Sequence, residues 1–173
     1  VTGVQVYNFD YANADINNFW TTLYTGIERA NNLIANINVA TAVDSTERQA
    51  ILGEALFLRG YYYFLLVSNF GDVPLRLEPT TVTGASTVNV PSTPVKDVYA
   101  QILKDMTAAE EKCYPATYFN YSSRVSKTTV EGILARVCLT MAGHPLMDQS
   151  KYKDALQWAG KVVASGIHSL NPS

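Results

Sequence analysis

Two short stretches concentrate residue types suited to binding rather than to reaction. Tyr7, Phe9 and Tyr11 stand beside Asn13, Asn17 and Asn18, and Tyr114, Tyr118, Phe119, Asn120 and Tyr121 fall close together further along. Flat rings can stack on the apolar face of a sugar, and amides can hydrogen-bond its hydroxyls. The alternative for each cluster is ordinary packing of loop aromatics onto a scaffold, because apolar side chains are common on protein surfaces.

Groups for bond-making chemistry are sparse. The two histidines, His144 and His168, have no neighbouring acid or nucleophile that completes a catalytic motif, and H-E-x-x-H, G-x-S-x-G and phosphate-binding glycine loops are absent from the sequence. A glycosidase needs only two carboxylates about 5 to 10 Å apart. Fifteen acidic residues leave room for such a pair, so a hydrolase stays open as a third reading. Cys113 and Cys138 lie inside helical patterns and at no ligand spacing, which reads as buried free thiols, with no metal or cofactor implied. Asn120-Tyr121-Ser122 has the form of a glycosylation acceptor.

The elements that must position these clusters are helices. The 173 residues are 47% hydrophobic, enough for a packed core, and thirteen basic against fifteen acidic residues give a net charge of −2. Neither sign forms a run, so the footprint of a nucleic-acid binder is missing. Residues 1–14 read as an N-terminal loop with neither a basic region, an apolar region nor a lipid-attachment cysteine. From Ile16 a stripe of Ile16, Trp20, Leu23, Ile27, Ala30, Ile34 and Ile37 predicts a first helix, with Asp15 as its cap.

A second helix runs from about Thr46 to Asn69 or Phe70, apolar nearly all round, so it must be packed between neighbours. Glu54, Arg59 and the tyrosines at 61–63 argue for a core helix over a bilayer span. Consecutive helical residues are about 100° apart, so Tyr61, Tyr62 and Tyr63 point to different neighbours, at least two of them buried. Arg59 is the only full charge between Ala55 and Gly71; it reads as a structural, paired guanidinium, with Asp72 as candidate partner. Gly71 supplies a left-handed helix end and Pro74 prevents resumption. An extended exit, Val73 to Leu77, leads to a surface loop at 78–92.

Thr93-Pro94 signals the start of a third helix. Ser126 caps a fourth carrying Val130, Ile133, Leu134, Val137 and Met141 inward, and a fifth, near 150–165, has Tyr152, Ala155, Leu156, Ala159, Val162 and Val163 inward. With no strand pair evident, the fold class is all-α: irregular tetratricopeptide-like antiparallel helix pairs in a single domain.

The segment EALFLRGYYYFLLVSNFGDVPL, residues 54–75, closely resembles the hallmark segment of the SusD/RagB family of Bacteroidota outer-membrane lipoproteins. In the same order, FWTTLYTGIERANNLIANI, VKDVYAQILKDMTAAEE, RVSKTTVEGILARVCLTMAG and SKYKDALQWAGKVVASG resemble the family's other helices. Cys138 and His168 depart from it, standing where aromatics are common. The resemblance implies the N-terminal helical portion of a longer, non-enzymatic, glycan-binding lipoprotein at the extracellular face of the outer membrane. Its partners would be oligosaccharide or polysaccharide and a TonB-dependent, SusC-like transporter, with the membrane reached only through a lipid anchor outside this chain. Arg59, Gly71, Asp72 and Pro74 are then scaffold residues. A tetratricopeptide-like adaptor for a protein or peptide is the alternative.

Overall fold

The computed structural model describes residues 13–81, 89–119, 121 and 123–169. Five α-helices are found among them: α1 (Ala14–Asn36), α2 (Ser45–Phe70), α3 (Val95–Lys112), α4 (Lys127–Ala142) and α5 (Lys151–Ala164), with a 3-10 turn at Ile37–Val39. The chain is all-α, and neighbouring helices pack in sequence, α1 on α2, α2 on α3, α3 on α4 and α4 on α5.

The cap of α1 is Asn13, not the expected Asp15. Its Oδ1 accepts from the N–H groups of Asp15 (3.0 Å) and Ile16 (3.1 Å), which leaves the Asp15 carboxylate in the first turn, where the helix dipole favours it. Asp44 does the same for α2, accepting from Thr46 and Glu47. Long and apolar enough to cross a bilayer by length and composition, α2 instead buries Ala55, Phe57, Tyr63, Phe64, Leu66 and Val67 between α1 and α3. Two glycines let α3 come close. A methyl group on Gly53 would meet Lys112 Cβ at 2.8 Å, and one on Gly60 would meet Met106 Cγ at 3.0 Å.

Gly71, at φ 73°, ends α2 while its N–H still bonds Val67 O. The exit segment then pairs after all: β1 (Val73–Pro74) and β2 (Ser92–Thr93) run antiparallel, Val73 opposite Thr93 and Pro74 opposite Ser92. That ladder engages Thr93, so the Thr93 cap expected for α3 does not form. Pro94 occupies the cap position, and the Asp72 carboxylate accepts from Val95 N–H at 2.9 Å in its place. Ser126 caps α4 as expected, accepting from Thr129 N–H.

One side of α5 contradicts the sequence reading. Its packed stripe holds Ala155 with the half-buried Trp158 and Val162, whereas Tyr152, Leu156 (75% exposed), Ala159 and Val163 (81% exposed) face outward. The helix carries two apolar stripes, and α4, with a few core side chains, covers only one of them.

Candidate functional site

Arg59 is only 6% exposed, and its guanidinium is fully spoken for. Nε and Nη2 donate to the two carboxylate oxygens of Asp105 on α3 at 2.7 and 2.9 Å; Nη1 donates to Asn31 Oδ1 on α1 at 2.9 Å and to Leu77 O at 3.2 Å. The expected partner, Asp72, is instead the cap of α3. A helix-to-helix pairing across 46 residues replaces the short-range one the sequence suggested. Tyr61, Tyr62 and Tyr63 diverge as expected: Tyr61 stacks on Phe57, Tyr62 lies against Gly26 on α1, and Tyr63 reaches the exit segment. Only Tyr63 is buried, however; the other two are half-buried.

The aromatic residues after α3 are brought together. Tyr114 and Tyr118 lie face to face, ring centres 3.8 Å apart and 2° from parallel, and Phe119 stands edge-on to both. Tyr121 sits 5.3 Å from Phe119. What fixes this platform is Arg124. Its guanidinium lies 4.8 Å over the Phe119 ring, donates from Nε to Glu54 at 2.8 Å and from Nη1 to Glu47 at 3.3 Å, and so ties the loop to α2. Tyr114 O–H donates to the other Glu47 oxygen at 3.2 Å. Its hydrogen bond with Tyr118, then burial and the Glu47 contact, push the Tyr114 phenol up to about 12, so it stays a proton donor at neutral pH. Two rings remain available: Tyr118 is 56% and Tyr121 57% exposed.

Of the other candidates, Tyr7, Phe9, Tyr11 and Asn120 lie outside the described residues, and Asn17 and Asn18 are exposed on the first turns of α1. Arg124 and Glu47 were not singled out from the sequence, and Glu54 only as a charge that argues against a bilayer span. Seventy or more residues separate the arginine from its carboxylates, and no local pattern signals such a pairing.

A carboxylate pair does exist. Glu110 of α3 and Glu131 of α4 are buried together, with Lys161 at 3.2 Å and Lys127 at 3.9 Å from Glu110. Burial first, then the hydrogen bond and charge of Glu110, raise the Glu131 pKa. The pair sits in a helix interface held by lysines, which is a packing role rather than a hydrolytic cleft. Burial likewise pushes the thiols up, Cys113 to about 12 and Cys138 to about 11, as expected of inert core cysteines.

Comparison with known proteins agrees with this architecture. The family model SusD-like, described as starch-binding associating with outer membrane, matches residues 3–139. The SusD-like protein P2 of Formosa agariphila is 33% identical over 139 residues, 79% of this chain and 26% of that one. A SusD homolog from Bacteroides thetaiotaomicron matches with a TM-score of 0.84 at 32% identity, over 94% of this chain and 32% of that one. Surface glycan-binding protein A from Bacteroides uniformis matches at 0.77 and 26% identity, over 90% and 33%. The chain thus spans 26% to 33% of the length of these relatives. With most of its residues matched in sequence and its helices superposing in order, the chain belongs to the SusD-like (SusD/RagB) family.

Proposed function

We propose that this chain is the glycan-binding portion of a bacterial outer-membrane polysaccharide capture and uptake system, non-catalytic, presenting oligosaccharide at the extracellular face to a TonB-dependent, SusC-like transporter. Family membership supports the general reading, through relatives described as starch-binding and surface glycan-binding. The single observation that carries it for this chain is the pair of exposed tyrosines, Tyr118 and Tyr121, on a platform pinned by Arg124. A ring held in place before the ligand arrives loses little freedom on stacking against a sugar. Tyr7, Phe9, Tyr11, Asn17 and Asn18, the first cluster read from the sequence, are likewise proposed for glycan contact, on composition.

The test is calorimetric titration of a panel of neutral oligosaccharides into the chain and into Tyr118→Ala, Tyr121→Ala and the double variant. Each single change is expected to weaken binding about two- to tenfold, with thermal unfolding little changed in Tyr121→Ala and lowered by a few degrees in Tyr118→Ala, which loses its stack on Tyr114. Unchanged affinity in the double variant would remove the platform from the site. The adaptor reading has one observation in its favour, the outward stripe of Tyr152, Leu156 and Val163 on α5. It would be favoured over glycan capture if the oligosaccharide panel gave no binding at all.

A further inference from the structure

A concave groove of about 690 Å³ runs between α1 and the exit segment that follows β1. Trp20, Tyr24 and Pro74 form its apolar wall; Thr21, Thr25, Glu28, Arg29, Arg76 and Thr80 supply polar groups. Its size is that of a pocket for a small ligand.

The walls are preformed. Tyr24 O–H donates to Pro74 O at 2.7 Å, Asn31 donates to Arg76 O and Glu78 O, and Tyr63 O–H bonds Arg76 O while accepting from Arg76 N–H. Further along, Thr80 N–H and Oγ1 both donate to the Glu28 carboxylate, which also accepts from Asn32. These bonds have a second consequence. The carbonyls of Pro74, Arg76, Leu77 and Glu78 and the N–H groups of Arg76 and Thr80 are already engaged by side chains, and Pro74 has no N–H, so the groove offers little for a peptide strand to pair with. A ligand here must bind through its faces and hydroxyls.

Arg29 and Glu28 stand side by side on the α1 wall, and the Glu28 carboxylate is committed to Thr80 and Asn32. Arg29 is exposed on α1, and among the described residues its guanidinium makes no hydrogen bond or ion pair. Arginine presents a planar fork that suits a carboxylate or sulfate oxygen pair. Next to it on the same wall, one helical turn or two away, are the threonine hydroxyls of Thr21 and Thr25 and the half-buried ring of Trp20, which Phe70 braces edge-on at 4.9 Å.

We propose that this groove is a separate ligand site for an anionic oligosaccharide, a sugar ring lying on the Trp20 wall and its acid group on Arg29. The proposal rests on the glycan-binding reading above and assigns it a substrate class. Uncharged sugar would lose the arginine contact, and an acidic peptide would lose the ring face and find most of the exit-segment carbonyls taken.

The experiment is calorimetric titration of hexagalacturonic acid, and of the same hexamer fully methyl-esterified, into the chain and its Arg29→Gln variant. Arg29 is exposed and makes no scaffold contact, so the variant is expected to unfold at the wild-type temperature. The free acid should bind at least about tenfold more tightly than the ester, and Arg29→Gln should erase that preference, as loss of one charge-assisted contact requires. Equal affinity for acid and ester, undiminished acid binding in Arg29→Gln, no binding of the acid, or equal binding of a hexaglutamate peptide would each overturn the proposal. Tyr118→Ala/Tyr121→Ala separates the two ideas: if it abolishes binding of neutral sugars while Arg29→Gln changes nothing, the platform stands and the groove falls. If it leaves neutral-sugar affinity unchanged while Arg29→Gln erases the preference for the acid, the groove stands and the platform falls.

Discussion

Removing Arg59 tests the central packing argument. Arg59→Ala deletes four donated hydrogen bonds, two to Asp105, one to Asn31 and one to Leu77 O. It leaves the Asp105 carboxylate, 2% exposed, with Gln101 as its remaining donor at 2.8 Å. An uncompensated buried charge of this kind costs about 3 to 5 kcal/mol. For a domain of this size each kcal/mol moves the midpoint by about 2 to 4 °C, so the variant should melt about 6 to 20 °C below wild type. The pair itself is a different matter, because taking both ions out of water offsets most of their attraction. Arg59→Met/Asp105→Leu should therefore recover most of the loss. Urea titration and calorimetry on the three proteins decide it. An Arg59→Ala variant within about 1 kcal/mol of wild type, or a double variant as unstable as the single one, would refute the buried-pair account.

Three further outcomes are expected. Glu131 has a folded-state pKa above its usual value, so its contribution to stability is full below about pH 4.5 and is lost as pH rises through the raised value. Glu131→Gln should accordingly flatten the fall in stability between pH 4 and pH 8 and leave the protein at least as stable as wild type at pH 7, read from urea midpoints across that range. Gly53→Ala should destabilise by about 1 to 3 kcal/mol, since the new methyl would press on Lys112 Cβ and the Cys113 backbone, whereas Gly60→Ala meets the flexible Met106 side chain and should be close to neutral in chemical denaturation. Leu156→Lys and Val163→Lys lie on the open stripe of α5; each should change stability by less than about 0.5 kcal/mol in urea titration.

The helices were legible because periodicity is local. Leu23 and Ile27 on α1, and Val130, Leu134 and Val137 on α4, are buried as their spacing demanded. Ser126 and Gly71 punctuate the chain as read. The errors share one physical cause, that a side chain able to do two jobs takes the one tertiary structure offers. Asp72 could pair with an arginine or cap a helix, and the two-residue ladder at Val73 places it beside Val95 N–H. Thr93 could cap α3, but the same ladder claims its backbone. On α5 the composition is apolar on two stripes, and nothing local says which one α4 will cover. The platform was legible as composition only; its rigidity comes from Arg124 reaching back to Glu47 and Glu54, a pairing that depends on how α2 and the loop meet.

Both candidate surfaces are built in the same way, which bears on how this scaffold can bind. The segment after β1 has little regular structure, yet Tyr24 and Asn31 on α1 and Arg59 and Tyr63, one turn apart on α2, hold its carbonyls. The loop after α3 is held from α2 by Glu47 and Glu54 through Arg124. Irregular chain is free to vary in shape and chemistry because it carries no helical pattern, and polar anchors from the helices restore the order that a binding surface needs. Helix α2 supplies anchors to both segments, with Arg59 and Tyr63 serving one and Glu47 and Glu54 the other. Its apolar faces therefore fix the helix stack while its few polar residues fix the loops, and the isolated charge at Arg59 belongs to the second task as much as to the first.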